Sequence, residues 1–280
     1  MTESTKPVLI DSTTNPGISI ITINRPKRKN AVDSETAQQL YEAILAFEAD
    51  STQKICVLTG SGNTFCAGAD LHNVALKNAN ADSNVSPTEA NLQPVGDRNL
   101  GPMGPSRLIV QKPIIAAVSG YAVAGGLELS LLADMRVVEE DAVFGVFCRR
   151  WGVPLIDGGT VRLQAIVGLG RALDMILTGR PVGAREAFTM GLANRVVPKG
   201  QALREALLIA KQLMTFPEFC MNTDRRSAYY SAYEASSFQD ALAQEFTAGV
   251  QVISKEAIAG AAKFSKGSGR HGSFKEFSKL

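Results

Sequence analysis

The chain has 280 residues, 45% of them hydrophobic and 20% charged, with 29 Lys and Arg against 27 Asp and Glu and a formal net charge of +2. That length holds one large domain or two small ones with a substantial core, and the composition excludes a disordered, collagen-like or disulfide-stapled chain. The near-neutral balance and the scattered aromatic residues argue against nucleic acid as a partner.

In chain order, residues 18–23 (Ile-Ser-Ile-Ile-Thr-Ile) predict a strand that ends at the breaker Asn24-Arg25-Pro26. Asp33 or Ser34 is expected to cap a helix with Leu40, Ala43, Ile44 and Phe47 on one face. Residues 55–59 form a short apolar run stopped by Gly60-Ser61-Gly62, a buried strand. Residues 73–105 are rich in Asn, Pro and Gly and lack hydrophobic periodicity, which predicts a long surface loop of functional or mobile character. Strand signals return at 114–118, 135–138 and 143–146, and helical periodicity at 126–133 and 160–167. From Leu203 onward the pattern is helical, with Leu203, Leu207, Leu208, Phe238, Leu242, Phe246 and Val250 as expected core positions. No internal repeat stands out.

Residues 114–133 approach the length of a bilayer span, but Glu128 lies inside the run and Gly125-Gly126 interrupt it. A carboxylate within a span costs about 2.5–3.5 kcal/mol, so a buried strand, a glycine turn and a buried helix explain the segment better. The four cysteines, Cys56, Cys66, Cys148 and Cys220, form no C-x-x-C pair, and the chain has only two histidines, His72 and His271. A metal centre is therefore not expected, and without a G-x-S-x-G elbow neither is a Ser-His-Asp triad.

The strongest chemical signal is Glu128. It follows Gly125-Gly126 among Ala122, Val123, Ala124, Leu127, Leu129, Leu131 and Leu132. Lost hydration in such surroundings raises a carboxyl pKa towards the range useful for acid/base work. The alternative is a helix-terminal Glu that is solvated or paired with Arg136 or another Arg. A second glycine turn at Phe65-Cys66-Ala67-Gly68-Ala69-Asp70-Leu71 exposes further backbone amides, with Asp70 able to cap a following helix. Two amides from separate strand-to-helix turns beside a desolvated carboxylate make an oxyanion hole with an acid/base group.

Several ordered motifs together resemble the enoyl-CoA hydratase/isomerase (crotonase) family. They are Asn24-Arg25-Pro26 with Asn30-Ala31, Thr59-Gly60 with Phe65–Leu71, Lys112–Leu129 with Ala133-Asp134, Gly158-Gly159-Thr160, Gly179-Arg180, and Ala184, Ala187 and Gly191-Leu192. The resemblance covers roughly residues 8–265. It implies an α/β fold, a spiral of β-β-α turns over residues 1–200, then a helical trimerisation region and tail over 201–280, in trimers or hexamers. It also implies an acyl-CoA substrate with no separate cofactor. It places the oxyanion-hole amides at Ala69 and Gly125, and contacts to CoA at Ala67, Leu71, Phe264 and Lys266. Residues 73–105 match the variable loop beside the acyl pocket.

One position departs from the family pattern. Hydratases of the family use a second glutamate twenty residues after the first, and here that position is Cys148, expected as a buried filler thiol that is neutral unless strongly perturbed by Arg149 or Arg150. Asp157 is the nearest spare carboxylate and is expected either as a proton partner to Glu128 or as the cap of the helix near Thr160. Hydration of a 2-enoyl-CoA is the leading expectation. Double-bond isomerisation by one carboxylate, another enolate or thioester reaction, and a non-catalytic acyl-CoA-binding trimer stay open. The terminal Ser278-Lys279-Leu280 reads as a peroxisomal address, which predicts a peroxisomal protein bound by an import receptor.

Overall fold

The computed structural model describes residues 6–71 and 92–266. Most of the 73–105 loop, both histidines and the Ser278-Lys279-Leu280 tail lie outside the described residues. The chain divides into two compact units, one up to Ala210 and the other from Lys211.

In the first unit, β1 (Val8–Asp11) and β2 (Ile18–Ile23) form an antiparallel pair. The β-branched run of β2 then pairs in parallel with β3 (Ile55–Gly60), Ile18 opposite Ile55. Between them, α1 (Ser34–Ala49) starts where the Asp33 carboxylate accepts the Thr36 amide at 2.9 Å. Its buried face includes Leu40, Ala43, Ile44 and Phe47, as the periodicity predicts.

The remaining strands fall into two sheets. The large sheet takes β4 (Ile114–Val118), β6 (Met135–Glu139) and β9 (Arg195–Val197), in the order β1-β2-β3-β4-β6-β9 and parallel after the first pair. The small sheet takes β5 (Tyr121–Val123), β7 (Val143–Gly145) and β8 (Val182–Gly183). From β4 to β7 the chain alternates between the two sheets, after which β8 joins β7 in the small sheet and β9 the edge of the large one. A strand in the large sheet, a short strand in the small one and then a helix occur twice in succession, from β4 and from β6, the β-β-α turn of the expected spiral. The helices are α2 (Gly125–Leu132), α3 (Gly159–Val167), α4 (Leu169–Thr178) and α5 (Ala184–Thr189). The apolar stretch 114–133 is thus β4, β5 and an eight-residue helix, and no described helix is long and apolar enough to cross a membrane.

α6 (Ala202–Leu213) leads into the second unit and buries Ala202, Ala206 and Ala210. There α7 (Glu218–Tyr233) packs along α8 (Phe238–Val252), followed by a π turn and α9 (Ile258–Ser265). Ser237 caps α8, and the Glu256 carboxylate accepts the amides of Phe219 and Cys220 at the start of α7. The expected core positions here are corrected. Leu203, Phe238, Leu242, Phe246 and Val250 are exposed, Phe246 at 73%, and Leu207 and Leu208 are only half-buried. Helical periodicity locates an apolar face without saying whether the same chain covers it.

Candidate active site

The two glycine turns meet. The Cys66 amide donates to the Tyr121 carbonyl at 2.9 Å and the Val123 amide to the Cys66 carbonyl at 3.1 Å, so residues 65–68 run beside β5. Gly68 sits at φ +99°, and a methyl there would lie 2.9 Å from the Ala124 Cβ and 3.0 Å from the Gly125 nitrogen. Only glycine allows so close an approach in that conformation. On the other side of this segment, the Val32 amide donates to the Gly68 carbonyl and the Asp70 amide to the Val32 carbonyl. The intervening Ala69 amide therefore points away from Val32. Asp70 also pairs with Arg25 at 3.0 Å, and the helix it was expected to cap falls on undescribed residues.

α2 begins at Ala124, whose φ of 53° and ψ of −126° are costly for a residue with a side chain. Its amide is held by the Gly145 carbonyl at 2.9 Å. The kink leaves Gly125 at the first helical position, where an amide has no partner within the helix. Neither Ala69 N–H nor Gly125 N–H donates to an acceptor among the described residues.

Glu128 lies one turn into this helix and is 2% exposed. Its Oε1 accepts two backbone amides, Asp157 at 2.9 Å and Gly159 at 2.8 Å, while Oε2 accepts none from the described residues. A methyl at Gly159 would stand 2.8 Å from Oε1, so the site needs glycine there. Burial raises the Glu128 pKa to about 7, with the Asp157 charge adding to it and the two amides and Arg162 opposing. The alternatives do not form. Glu128 is buried rather than solvated, and its partners among the described residues are backbone amides and not a guanidinium. Arg136 donates to the carbonyls of Leu192, Ser130 and Ala133.

Asp157 is 3% exposed, and its Oδ1 accepts the Met103 amide at 2.9 Å and the Ser106 hydroxyl. It does not cap α3, whose first turn follows Gly158 without a side-chain cap. Burial raises its pKa, opposed by Ser106, Met103, Arg107 and Arg162. Cys148 is buried in a short 3-10 turn (Phe147–Trp151), and burial, then the nearby Glu128 charge, pushes its thiol pKa up. Arg149 opposes that rise without cancelling it, so the thiol is neutral. Among the expected CoA contacts, Ala67 donates its amide to the Lys29 carbonyl and Leu71 is exposed, whereas Phe264 and Lys266 belong to the helical unit. The sequence reading missed the Asp157 and Gly159 amides and the Met103–Ser106 partner segment. The glycine pair Gly158-Gly159 was the one local signal for the former.

The model for the enoyl-CoA hydratase/isomerase family matches residues 13–268, nearly the whole chain. The chain belongs to this family. It is similar to an enoyl-CoA hydratase of Mycobacterium tuberculosis, 38% identical over 68% of this chain and 69% of that protein. It is also similar to a crotonyl-CoA hydratase of Syntrophomonas wolfei, at 33% identity over 75% of this chain and 77% of the relative. Among solved structures, an enoyl-CoA hydratase of Mycobacterium tuberculosis superposes with a TM-score of 0.80 at 32% identity, covering 93% of this chain and 96% of that one. The fold is that of the crotonase superfamily, and the protein is an enzyme of it. One expectation is corrected. Relatives of this chain are bacterial enzymes, from Mycobacterium, Syntrophomonas, Escherichia, Clostridium and Rhizobium, and bacteria have no peroxisomes. The peroxisomal reading of Ser278-Lys279-Leu280, and the import receptor with it, therefore does not hold.

Proposed function

We propose that this enzyme hydrates the double bond of a 2-enoyl-CoA, with Glu128 moving the proton. The observation that carries the reading is the Glu128 carboxyl itself: one oxygen is fixed by two amides, the other receives no hydrogen bond from the described residues, and its pKa of about 7 lets it both take and return a proton. The naming of the similar mycobacterial and Syntrophomonas proteins as hydratases supports the same reading.

In this reading the thioester oxygen lies between the Ala69 and Gly125 amides. Glu128 removes a proton from water as the water oxygen bonds to Cβ, and the π electrons pass through Cα to the thioester oxygen as an enolate. The two amides stabilise that oxyanion, each such donor being worth about 2.7–4 kcal/mol. The enolate then collapses as Cα takes the proton back from Glu128, which restores the carboxylate. Because Cys148 is a neutral thiol, one carboxylate serves both steps, and hydrogen and hydroxyl add to the same face. Ala67 and Leu71, both in the first unit, are proposed contacts to CoA. The exposed apolar residues Phe238, Leu242, Phe246 and Val250 along α8 are proposed as the surface through which copies of the chain assemble into trimers or hexamers.

A second reading follows from Cys148, which stands where the family's hydratases carry another glutamate. A lone carboxylate can shuttle a proton between Cα and Cγ of a 3-enoyl-CoA without activating water. Absorbance of the conjugated thioester separates the two. Loss of signal from 2-enoyl-CoA, removed by Glu128→Gln, establishes hydration. A gain of signal from 3-enoyl-CoA alone establishes isomerisation in its place. Binding of CoA thioesters with neither change would contradict both.

A further inference from the structure

Asp157 touches both halves of the site through different atoms. Its N–H donates to Glu128 Oε1, while its carboxylate accepts the Met103 amide and the Ser106 hydroxyl, more than fifty residues earlier in the chain. The segment it holds is a tight one. Gly101 and Gly104 exchange backbone hydrogen bonds of 2.9 Å, which places Met103 in the turn between them. From α3, Arg162 donates to the carbonyls of Ser106 at 2.7 Å and Leu108 at 3.1 Å, clamping the same segment. Met103 is fully buried, and its thioether packs on Gly125: a methyl added there would fall 2.6 Å from the sulfur.

We propose that Asp157 is a positioning residue, whose backbone fixes the acid/base carboxylate of Glu128 and whose side chain latches the Met103–Ser106 segment as a wall beside the Gly125 amide. The proposal rests on the function given above, since it is a thioester at Gly125 that makes Met103 a neighbour of the first acyl carbons. One residue then sets the distance between the proton carrier and the acyl chain. With Oδ1 engaged by an amide and a hydroxyl, the carboxylate serves to hold the loop, in the way that hydrogen bonds behind a reacting group fix its orientation.

Asp157→Asn keeps an oxygen for the Met103 amide and Ser106 hydroxyl but removes the charge. Asp157→Ala removes both, and Ser106→Ala removes one latch bond while the carboxylate stays. Among the described residues, the Asp157 carboxylate and the Arg162 guanidinium bear electrostatically on Glu128, and the neutral Cys148 thiol lies nearby. Asp157 raises the Glu128 pKa, so its neutralisation moves the acidic limb of kcat/KM to lower pH. Asp157→Asn is expected to keep turnover within about tenfold with that shift, and Asp157→Ala to lose about 100-fold, the cost of a small misplacement of reacting groups. Ser106→Ala is expected to raise KM more than it lowers kcat and to alter the preferred acyl length. If Asp157→Asn is as inactive as Glu128→Gln while it melts and binds CoA thioester like the parent, Asp157 moves a proton itself and the proposal is overturned. It is equally overturned if Asp157→Ala matches the parent in rate, pH profile and acyl preference. Failure of the underlying function reads differently: the parent itself would then leave the conjugated-thioester absorbance of a 2-enoyl-CoA unchanged, whatever the Asp157 variants do.

Discussion

Helices α2 and α8 are both rich in apolar residues, yet their fates differ. All eight residues of α2 are buried, Glu128 included, whereas α8 leaves Phe238, Leu242, Phe246 and Val250 exposed. α2 is enclosed by its own chain: Cys66 and Gly68 approach its entry, Met103 covers Gly125, and Gly159 covers Glu128. The comparison teaches that an apolar helix face states only that something must cover it. Where the same chain does so on every side, an ionisable group caught inside is desolvated and its pKa is raised. Where the chain leaves a face open, the surplus is available for association.

The largest effect that would break this contrast is expected from Glu128→Gln, which keeps the shape of α2 and removes its proton carrier. Turnover should fall by about 10²–10⁴-fold, with CoA-thioester binding by calorimetry held within a few-fold. Next comes Gly159→Ala, which forces a methyl to within 2.8 Å of Glu128 Oε1. Steady-state kinetics should show a loss of about 100-fold in kcat, because the carboxylate must move. On the other helix, Phe246→Asp should leave the α2 site folded and shift the solution mass to a single chain by light scattering. An unchanged mass would mean that this face is not where copies meet.

Much of this contrast is legible in the sequence, and the rest is not for identifiable reasons. The strand runs at 18–23 and 55–59, the Asp33 cap and the buried face of α1 follow from local periodicity and side-chain chemistry. Glu128 is legible because Gly125-Gly126 and its apolar neighbours sit beside it in the chain. The latch from Asp157 to Met103 and Ser106 joins residues more than fifty positions apart through one backbone amide and one hydroxyl, and no local pattern encodes such a pair. The exposed face of α8 has the periodicity of a buried one, and burial against a second chain leaves the same trace as burial against the first. The neutral state of Cys148 is expected from the sequence, and burial, which outweighs the Arg149 charge, gives the same state.

The smallest expected effect concerns the entry to α2. Ala124→Gly relieves a positive φ that costs a residue with a side chain about 1–3 kcal/mol, partly offset by the flexibility glycine adds to the unfolded chain. A rise in melting temperature of about 2–4 °C is expected by calorimetry. No rise would mean that the turn is relaxed as it stands.

The central claim is that a single buried carboxylate, raised by desolvation, moves the proton. The most direct measurement is the pH dependence of kcat/KM for a 2-enoyl-CoA. Glu128 must be ionised to accept a proton from water, and its pKa is raised to about 7, so activity should climb with pH through an acidic limb centred near 7. An acidic limb at the ordinary carboxyl value of about 4.3 would contradict the account, because it would mean that the group moving the proton is hydrated rather than buried in α2.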